Sequence, residues 1–204
     1  MTNTLPLALH GRSLAIADVE GNGQQPPDIV ELAILTVDGP GDASDFKSWL
    51  VRPPRPITPI VRRIHGISNE DVETCPPWSA IEDEVATLLA GRTLIAHSAN
   101  VEHRVLGTHL PQWEPPMVLD TLKLAKHVWP ELESYKLTDL VTHAEIDTSE
   151  FNDQRPHRAG YDAWCAWLLL CALLSAQALS WDELIKVACL KGFEPPAEEE
   201  GGLW

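Results

Sequence analysis

Four carboxylates in this chain stand in strongly apolar company. Asp18 and Glu20 close the run SLAIADVE, Glu102 sits in NVEHRVL, and Asp162 opens YDAWCAWLLL. A charge left unpaired in such surroundings is costly to bury. If these segments converge, the four acids share one site and repel one another unless cations neutralise them. Carboxylates are hard oxygen donors that suit Mg²⁺ or Mn²⁺ better than zinc. Two such ions about 3.5–4 Å apart stabilise both the attacking and the leaving oxygen of a phosphoryl displacement. Each acid also has a plainer reading as a solvated surface charge. Glu102, in the first turn of an expected helix, could simply complement the helix macrodipole. Ser98 precedes it by four positions rather than three, so a simple capping box does not account for it.

His157 lies five residues before Asp162. On one continuous helix that spacing would set them about 140° apart, so His157 is expected on the preceding loop. A loop histidine beside a metal site can serve as general base to a water molecule. In isolation, between Arg155 and Arg158, it would read as a surface residue.

The elements that must position these groups follow from hydrophobic periodicity. SLAIADVE alternates as a strand and puts Asp18 and Glu20 on one face. The turn GNGQQPPD, a second strand in IVELAILTVDG and a third in FKSWLVRP suggest an antiparallel meander. Pro53, Pro54, Pro56 and Pro59 punctuate what reads as an irregular connection. A helix is expected in WSAIEDEVATLLAG, stopped by Gly91, followed by the strand TLIA, the elbow His97 to Asn100 and the helix bearing Glu102. MVLD reads as a fifth strand, and helices follow in DTLKLAKHVW and SYKLTDLVTHA. After the polar loop TSEFNDQRPHR, a long helix begins near Ala159. Its apolar stretch over residues 163–179 is read as a buried helix rather than a membrane span. Together these elements make a mixed α/β sheet flanked by helices.

The 204 residues suit one core, expected over residues 1–192, with 193–204 as an acidic, flexible tail. Thirty acidic against fifteen basic residues give a net charge of −15. That balance argues against broad binding to long duplex DNA, which depends on neutralising many phosphates. Basic residues cluster locally at Arg52, Arg55, Arg62 and Arg63, with smaller groups at Lys123 and Lys126 and at Arg155 and Arg158. Cys75, Cys165, Cys171 and Cys189 show no metal-like spacing and fit reduced thiols in a cytoplasm; the N-terminal stretch lacks the pattern of a secretory signal. Trp164 and Trp167 read as core. Trp113 and Trp129, beside prolines, could stack on bases or simply pack.

DVEG at Asp18, AHSANVEHRVL around Glu102 and HRAGYD from His157 to Asp162 resemble the three ordered motifs of the 3′→5′ exonuclease superfamily named for its Asp-Glu-Asp-Asp ligands. The similarity is to its histidine-containing (DEDDh) branch, the polymerase III epsilon-subunit-like and exonuclease-X-like enzymes. LVRPPRPITPIVRRIHGIS and LDTLKLAKHVWP extend it over roughly residues 13–178. The resemblance implies a ribonuclease-H-like α/β fold, a five-stranded mixed sheet with the site at the strand ends.

It further implies that Asp18, Glu20, Glu102 and Asp162 bind two Mg²⁺ or Mn²⁺ ions and that His157 deprotonates the attacking water. Ile64 and His65, with Val19, Gly21 and Asn100, become candidate substrate contacts. Asp120 is read as a cap for TLKLAK. Single-stranded or frayed-end nucleic acid is the implied substrate, in DNA repair or a related process. The resemblance leaves room for a polymerase or repair protein as partner and implies no membrane.

Three positions depart from the family pattern. Glu102 stands where the family has Asp and adds about 1.5 Å of reach. Val19 replaces a usual Thr, and Ser98 a frequent Asn. Two rivals to the exonuclease follow: a catalytically weakened nucleic-acid-binding or protein-interaction module, and a phosphodiesterase acting on small nucleotides.

Overall fold

The computed structural model describes residues 5–38, 42–149 and 155–194, with the side chains of 42–44 left aside. The segments 150–154 and 195–204, which hold part of the polar loop and most of the expected acidic tail, lie outside the described residues. Three strands come first: β1 (Leu14–Gly21), β2 (Ile29–Asp38) and β3 (Asp42–Leu50). The helices α1 (Pro59–His65), α2 (Asn69–Val72) and α3 (Glu82–Leu89) lead to β4 (Thr93–Ala96), α4 (Asn100–His109) and β5 (Val118–Asp120). The chain continues through α5 (Thr121–Val128), α6 (Leu137–His143), α7 (Ala159–Ala176) and α8 (Trp181–Ala188). The sheet order is β3-β2-β1-β4-β5. The first three strands are antiparallel, and β4 and β5 add in parallel beside β1, giving the expected mixed sheet.

Strand alternation divides the core. Leu14 and Ile16 of β1 face α5, α7 and α8, where they meet Leu35, Ile95, Leu124, Leu169, Leu170 and Leu173. Ala15 and Ala17 face the other layer with Leu94, Val85, Leu89 and Leu106. Continuing the period, Asp18 and Glu20 fall on the α7 side. There Ala33, the register partner of Asp18, packs with Ala159 and Ala163 of α7. These small side chains bring the start of α7 close to the sheet where the acids lie.

α7 is long and apolar enough to span a membrane by length and composition, yet 61% of it is buried inside the fold. Its apolar character serves the core, as expected from the sequence. Trp167 is buried there, and Trp164 packs beside Phe46 with ring centroids 5.8 Å apart. The proline-rich connection is more regular than expected, because α1 and α2 form within it. Pro59 occupies the first turn of α1, where its missing N–H costs nothing, and Gly66 closes the helix at φ +77°. The four cysteines are unpaired thiols.

Asp120 does cap α5: its Oδ1 accepts the Leu122 N–H at 2.9 Å. The same oxygen accepts the Ser98 N–H at 2.9 Å, which anchors the β4–α4 elbow at a residue with φ +67°. Asp120→Ala is expected to cost about 1–3 kcal/mol by removing a cap and leaving two N–H groups without their acceptor. Asp120→Asn, which keeps an acceptor, should cost less; urea midpoints of the three proteins check this.

Candidate active site

β1 outruns its parallel neighbour. Leu14, Ala15 and Ile16 pair with Thr93, Leu94 and Ile95, after which β1 has no strand partner on that side among the described residues. The remaining length of β1 therefore edges a cleft beyond the end of β4, where the strand connections diverge. In open α/β sheets such a switch point is where ligands bind. Asp18 and Glu20 project there from β1, Glu102 from the first turn of α4 and Asp162 from the first turn of α7. His157 stands on the loop before α7, as its spacing predicts.

Ligand atoms of Glu20, His157 and Asp162 lie within 4.8 Å of one another. Asp18 and Glu102 are outside this tightest group but are coupled to it electrostatically. Burial pushes Asp18 well above the usual carboxylate range, and the charges of Glu102, Asp162, Glu20 and Glu31 push it further. Burial, with Asp162 and Glu31, raises Glu20 to about 8. Glu102 is raised to about 8, chiefly by burial and then by Asp120 and Glu20. Asp162 rises to about 6 through burial, with the His157 backbone N–H opposing the shift.

Glu102 is only 5% exposed, and its Oε2 has no hydrogen-bond partner among the described residues. An acid that merely complemented the helix macrodipole could sit in water, so burial with an orphaned oxygen fits a cation ligand better than that plainer account. The hard-oxygen donor set and the mutual repulsion of its members fit divalent ions.

His157 is exposed, with φ +64°. Its backbone N–H donates to Asp162 Oδ2 at 3.0 Å, joining the histidine loop to the acid. Asp18, Asp162 and His157 line a cavity of about 490 Å³, walled opposite by Tyr135, Lys136 and Leu137. His97 braces that wall: its ring nitrogens lie 3.0 Å from Thr121 Oγ1 and 2.9 Å from the Tyr135 carbonyl.

The proposed substrate contacts are placed unevenly. Ile64 is 49% exposed on α1, and Asn100 is exposed at the start of α4. Gly21 lies at a register shift in β1, with Pro27 close by. The Val19 side chain packs against the second core layer, so the substitution there is a packing change and only its backbone remains for a ligand. His65 is buried, and its Nδ1 accepts the Ile67 N–H at 3.0 Å. Its ring braces the turn after α1, so this side chain is enclosed where that of Ile64 is exposed. Trp113 packs against the second core layer and His103, and Trp129 packs edge-on to His143, so both are tied up in packing.

One buried acid beside the site escaped the sequence reading. Glu31, opposite Glu20 in the β1–β2 register, is buried and holds Arg158 through both carboxylate oxygens. A lone acid inside IVELAIL was the available signal, and the apolar pattern around it read only as a strand.

Residues 15–169 match the RNase_T family model, described as an exonuclease. The chain is 31% identical over 179 residues to exodeoxyribonuclease 10 of Escherichia coli (strain K12), covering 85% of this chain and 74% of that protein. It is 29% identical over 177 residues to the 3′-5′ exonuclease DinG of Bacillus subtilis (strain 168), of which it spans only 18%. Among solved structures, exonuclease X in complex with 5′ overhanging duplex DNA superposes with a TM-score of 0.71 at 30% identity, covering 85% of this chain and 98% of that one. The five-stranded mixed sheet is thus the ribonuclease-H-like α/β fold.

The raised carboxylates set a pH dependence. A group whose folded pKa lies above its unfolded value favours the fold while protonated, and that stability is lost as pH rises toward the folded value. With Glu20 and Glu102 raised from 4.5 to about 8, the metal-free protein should lose stability between those values, at up to about 1.4 kcal/mol per pH unit for a single group. Melting in EDTA is expected to fall from pH 6 to pH 8. Added Mn²⁺ should restore more stability at pH 8 than at pH 6, and a metal-independent melting curve would contradict the metal-site reading.

Proposed function

The chain belongs to the RNase_T exonuclease family, and on that premise we propose that it is a divalent-metal-dependent 3′→5′ exonuclease releasing nucleoside 5′-monophosphates. The observation that carries this reading is the meeting of Glu20, Asp162 and His157 within 4.8 Å, at a cleft also lined by Asp18. In this reading Asp18, Glu20, Glu102 and Asp162 hold two Mg²⁺ or Mn²⁺ ions. When bound, such ions neutralise the carboxylates and stabilise the charge that develops on the phosphate oxygens.

The chain's own groups perform the remaining work. A ring nitrogen of exposed His157 takes the proton of the attacking water, and the contact between its backbone N–H and Asp162 Oδ2 holds the loop that carries it. The cavity between Asp162 and the Tyr135–Lys136 wall receives the 3′-terminal nucleotide. Ile64, Asn100, Gly21 and the Val19 backbone border the approach of the strand. Glu102 keeps a carboxylate, buried in the first turn of α4, at the place of the family's aspartate.

DNA is the favoured substrate, because the relative is named an exodeoxyribonuclease and the structural neighbour was solved with 5′ overhanging duplex DNA. Several basic side chains are already engaged, Arg55 with Asp28, Arg92 with Asp38 and Arg158 with Glu31. With a net charge of −15, this favours single-stranded, short or frayed ends. We assign residues 1–192 to the exonuclease domain and 193–204 to an acidic tail whose first residue, Phe193, packs against the core and edge-on to His103. A cytoplasmic role in DNA repair, alone or beside a polymerase, is consistent with this chemistry.

A 5′-labelled single-stranded DNA incubated with Mn²⁺ or Mg²⁺ should give a ladder shortening from its 3′ end, abolished by EDTA and by Asp18→Ala. His157→Ala should reduce the rate by about 10²–10⁴-fold. Glu102→Asp should retain activity and shift the preference between the two ions. A ladder that appears only in Glu102→Asp would instead identify a weakened binding module, and cleavage confined to mononucleotide esters a small-nucleotide phosphodiesterase.

A further inference from the structure

Glu31 is the acid beside the cluster that holds a cation of its own. Arg158 Nε lies 3.0 Å from Glu31 Oε2 and 3.2 Å from Oε1, and Arg158 Nη2 donates to Oε1 at 2.7 Å. The Ala159 backbone N–H adds a fourth contact, to Oε2 at 2.9 Å. Glu31 is 4% exposed, so these donors supply what water would otherwise supply.

We propose that Glu31 and Arg158 form a positioning pair for catalysis, fixing the junction that carries His157 and Asp162 against the strand that carries Asp18 and Glu20. The inference rests on the exonuclease reading for its catalytic meaning and on the geometry alone for its positional meaning.

Three observations support the pair. The first concerns the end of α7. Its N-cap residue, Arg158, makes no side-chain capping bond, so the helix does not close its own N-terminus in the usual way. Glu31 supplies the acceptor from 128 residues away, and thereby joins the first turn of α7 to β2. Asp162 lies in that turn. Any rotation or withdrawal of the turn moves this acid away from Glu20, with which it shares the tight group.

The second is the backbone of His157. A non-glycine residue at φ +64° is held against its own preference. On one side its N–H is fixed to Asp162, and on the other the next residue is the arginine clamped to β2. The loop entering α7 is thus pinned on both sides of the Cα from which the imidazole projects.

The third is charge. Glu31 is the cross-strand partner of Glu20, and like charges directly opposite on a sheet repel. The guanidinium counters this by pairing with both oxygens of Glu31. The planar fork meets both oxygens of the carboxylate, a geometry an ammonium cannot reproduce. A buried ion pair is by itself weak evidence for stability. The location of this one, between the general base and a ligand, gives it a positional meaning instead.

The test uses Glu31→Gln, Arg158→Met, Arg158→Lys and the double variant Glu31→Gln/Arg158→Met, each first shown to be folded by its melting curve. For a single-stranded oligonucleotide with Mn²⁺, Arg158→Met should lower kcat by about 10- to 100-fold, the range typical of partners one shell out from a metal. KM should stay near that of the native protein, because neither side chain borders the cavity. Arg158→Lys should recover part of the loss, and the double variant should be no worse than Arg158→Met, since the two act as one unit.

Amide hydrogen exchange supplies a readout independent of turnover. The N–H groups of His157 and Ala159 should exchange faster in Arg158→Met, while those of the β1 core stay protected. An unchanged kcat, or a loss carried by KM alone, would overturn the catalytic positioning; unchanged exchange at these two amides would overturn the clamp itself. If the native protein degrades no oligonucleotide, the exonuclease reading fails, and exchange alone then decides whether the pair positions this junction.

Discussion

Mutual repulsion among buried and half-buried carboxylates is the constraint around which this fold is arranged. Asp18, Glu20, Glu102 and Asp162 all have their acid forms favoured by burial, and each also feels the charge of at least one other acid. Nothing local would gather them, because isolated in water each would prefer to be solvated and apart. Their assembly must be driven by apolar burial elsewhere. That burial is large and lies directly beneath: Leu14 and Ile16 precede Asp18 on the same face of β1, and the leucines of α7 follow Asp162 into the same core layer. The acids are thus extensions of the hydrophobic elements, carried past the edge of the core by the stiffness of a strand and a helix.

Small residues and short pairings set how close they come. Ala33, Ala159 and Ala163 let the start of α7 lie near the sheet, and the early end of the β1–β4 pairing opens the cleft that α4 enters with Glu102. Two of the four described non-glycine residues at positive φ border this cleft. Ser98 and His157, both at positive φ, flank it and are fastened by Asp120 and Asp162 respectively. Strained residues persist only where their surroundings overdetermine them, and here those surroundings are carboxylates accepting backbone N–H groups. The acids of this site therefore divide into two kinds. Some face the cleft unpaired, whereas Asp120 and Glu31 are satisfied by donors and hold the geometry of the rest.

The same division explains how so acidic a chain can act on a polyanion. Cations recruited by the unpaired acids would convert the most negative part of the surface into the place where a phosphate is attracted. The net charge still discourages extended contact along a duplex, which suits the proposed entry of a strand end into the cavity walled by Tyr135 and Lys136.

Much of this was legible from the residues themselves. Period two put Asp18 and Glu20 on one face, the five-residue spacing put His157 off the helix of Asp162, and Asp120 announced itself as a cap; these are local rules, set by backbone geometry within a few residues. The strand sequence and the mixed sheet followed from hydrophobic periodicity for the same reason. The sequence was less informative wherever a property depended on distant partners. α1 was hidden among prolines although Pro59 and Gly66 marked its ends, since four prolines in seven residues outweighed the short helical pattern. His65 reads as an available side chain until the packing encloses it. Glu31 is the clearest case: along the chain it is one acid in an apolar strand, and its meaning comes from Arg158 and Ala159, 127 and 128 positions away. The sequence by itself determined which groups are chemically competent and which face of each element bears them. Tertiary structure alone decided which of those groups are solvated, neutralised or left orphaned, because burial and pairing are relations between elements and not properties of any one of them.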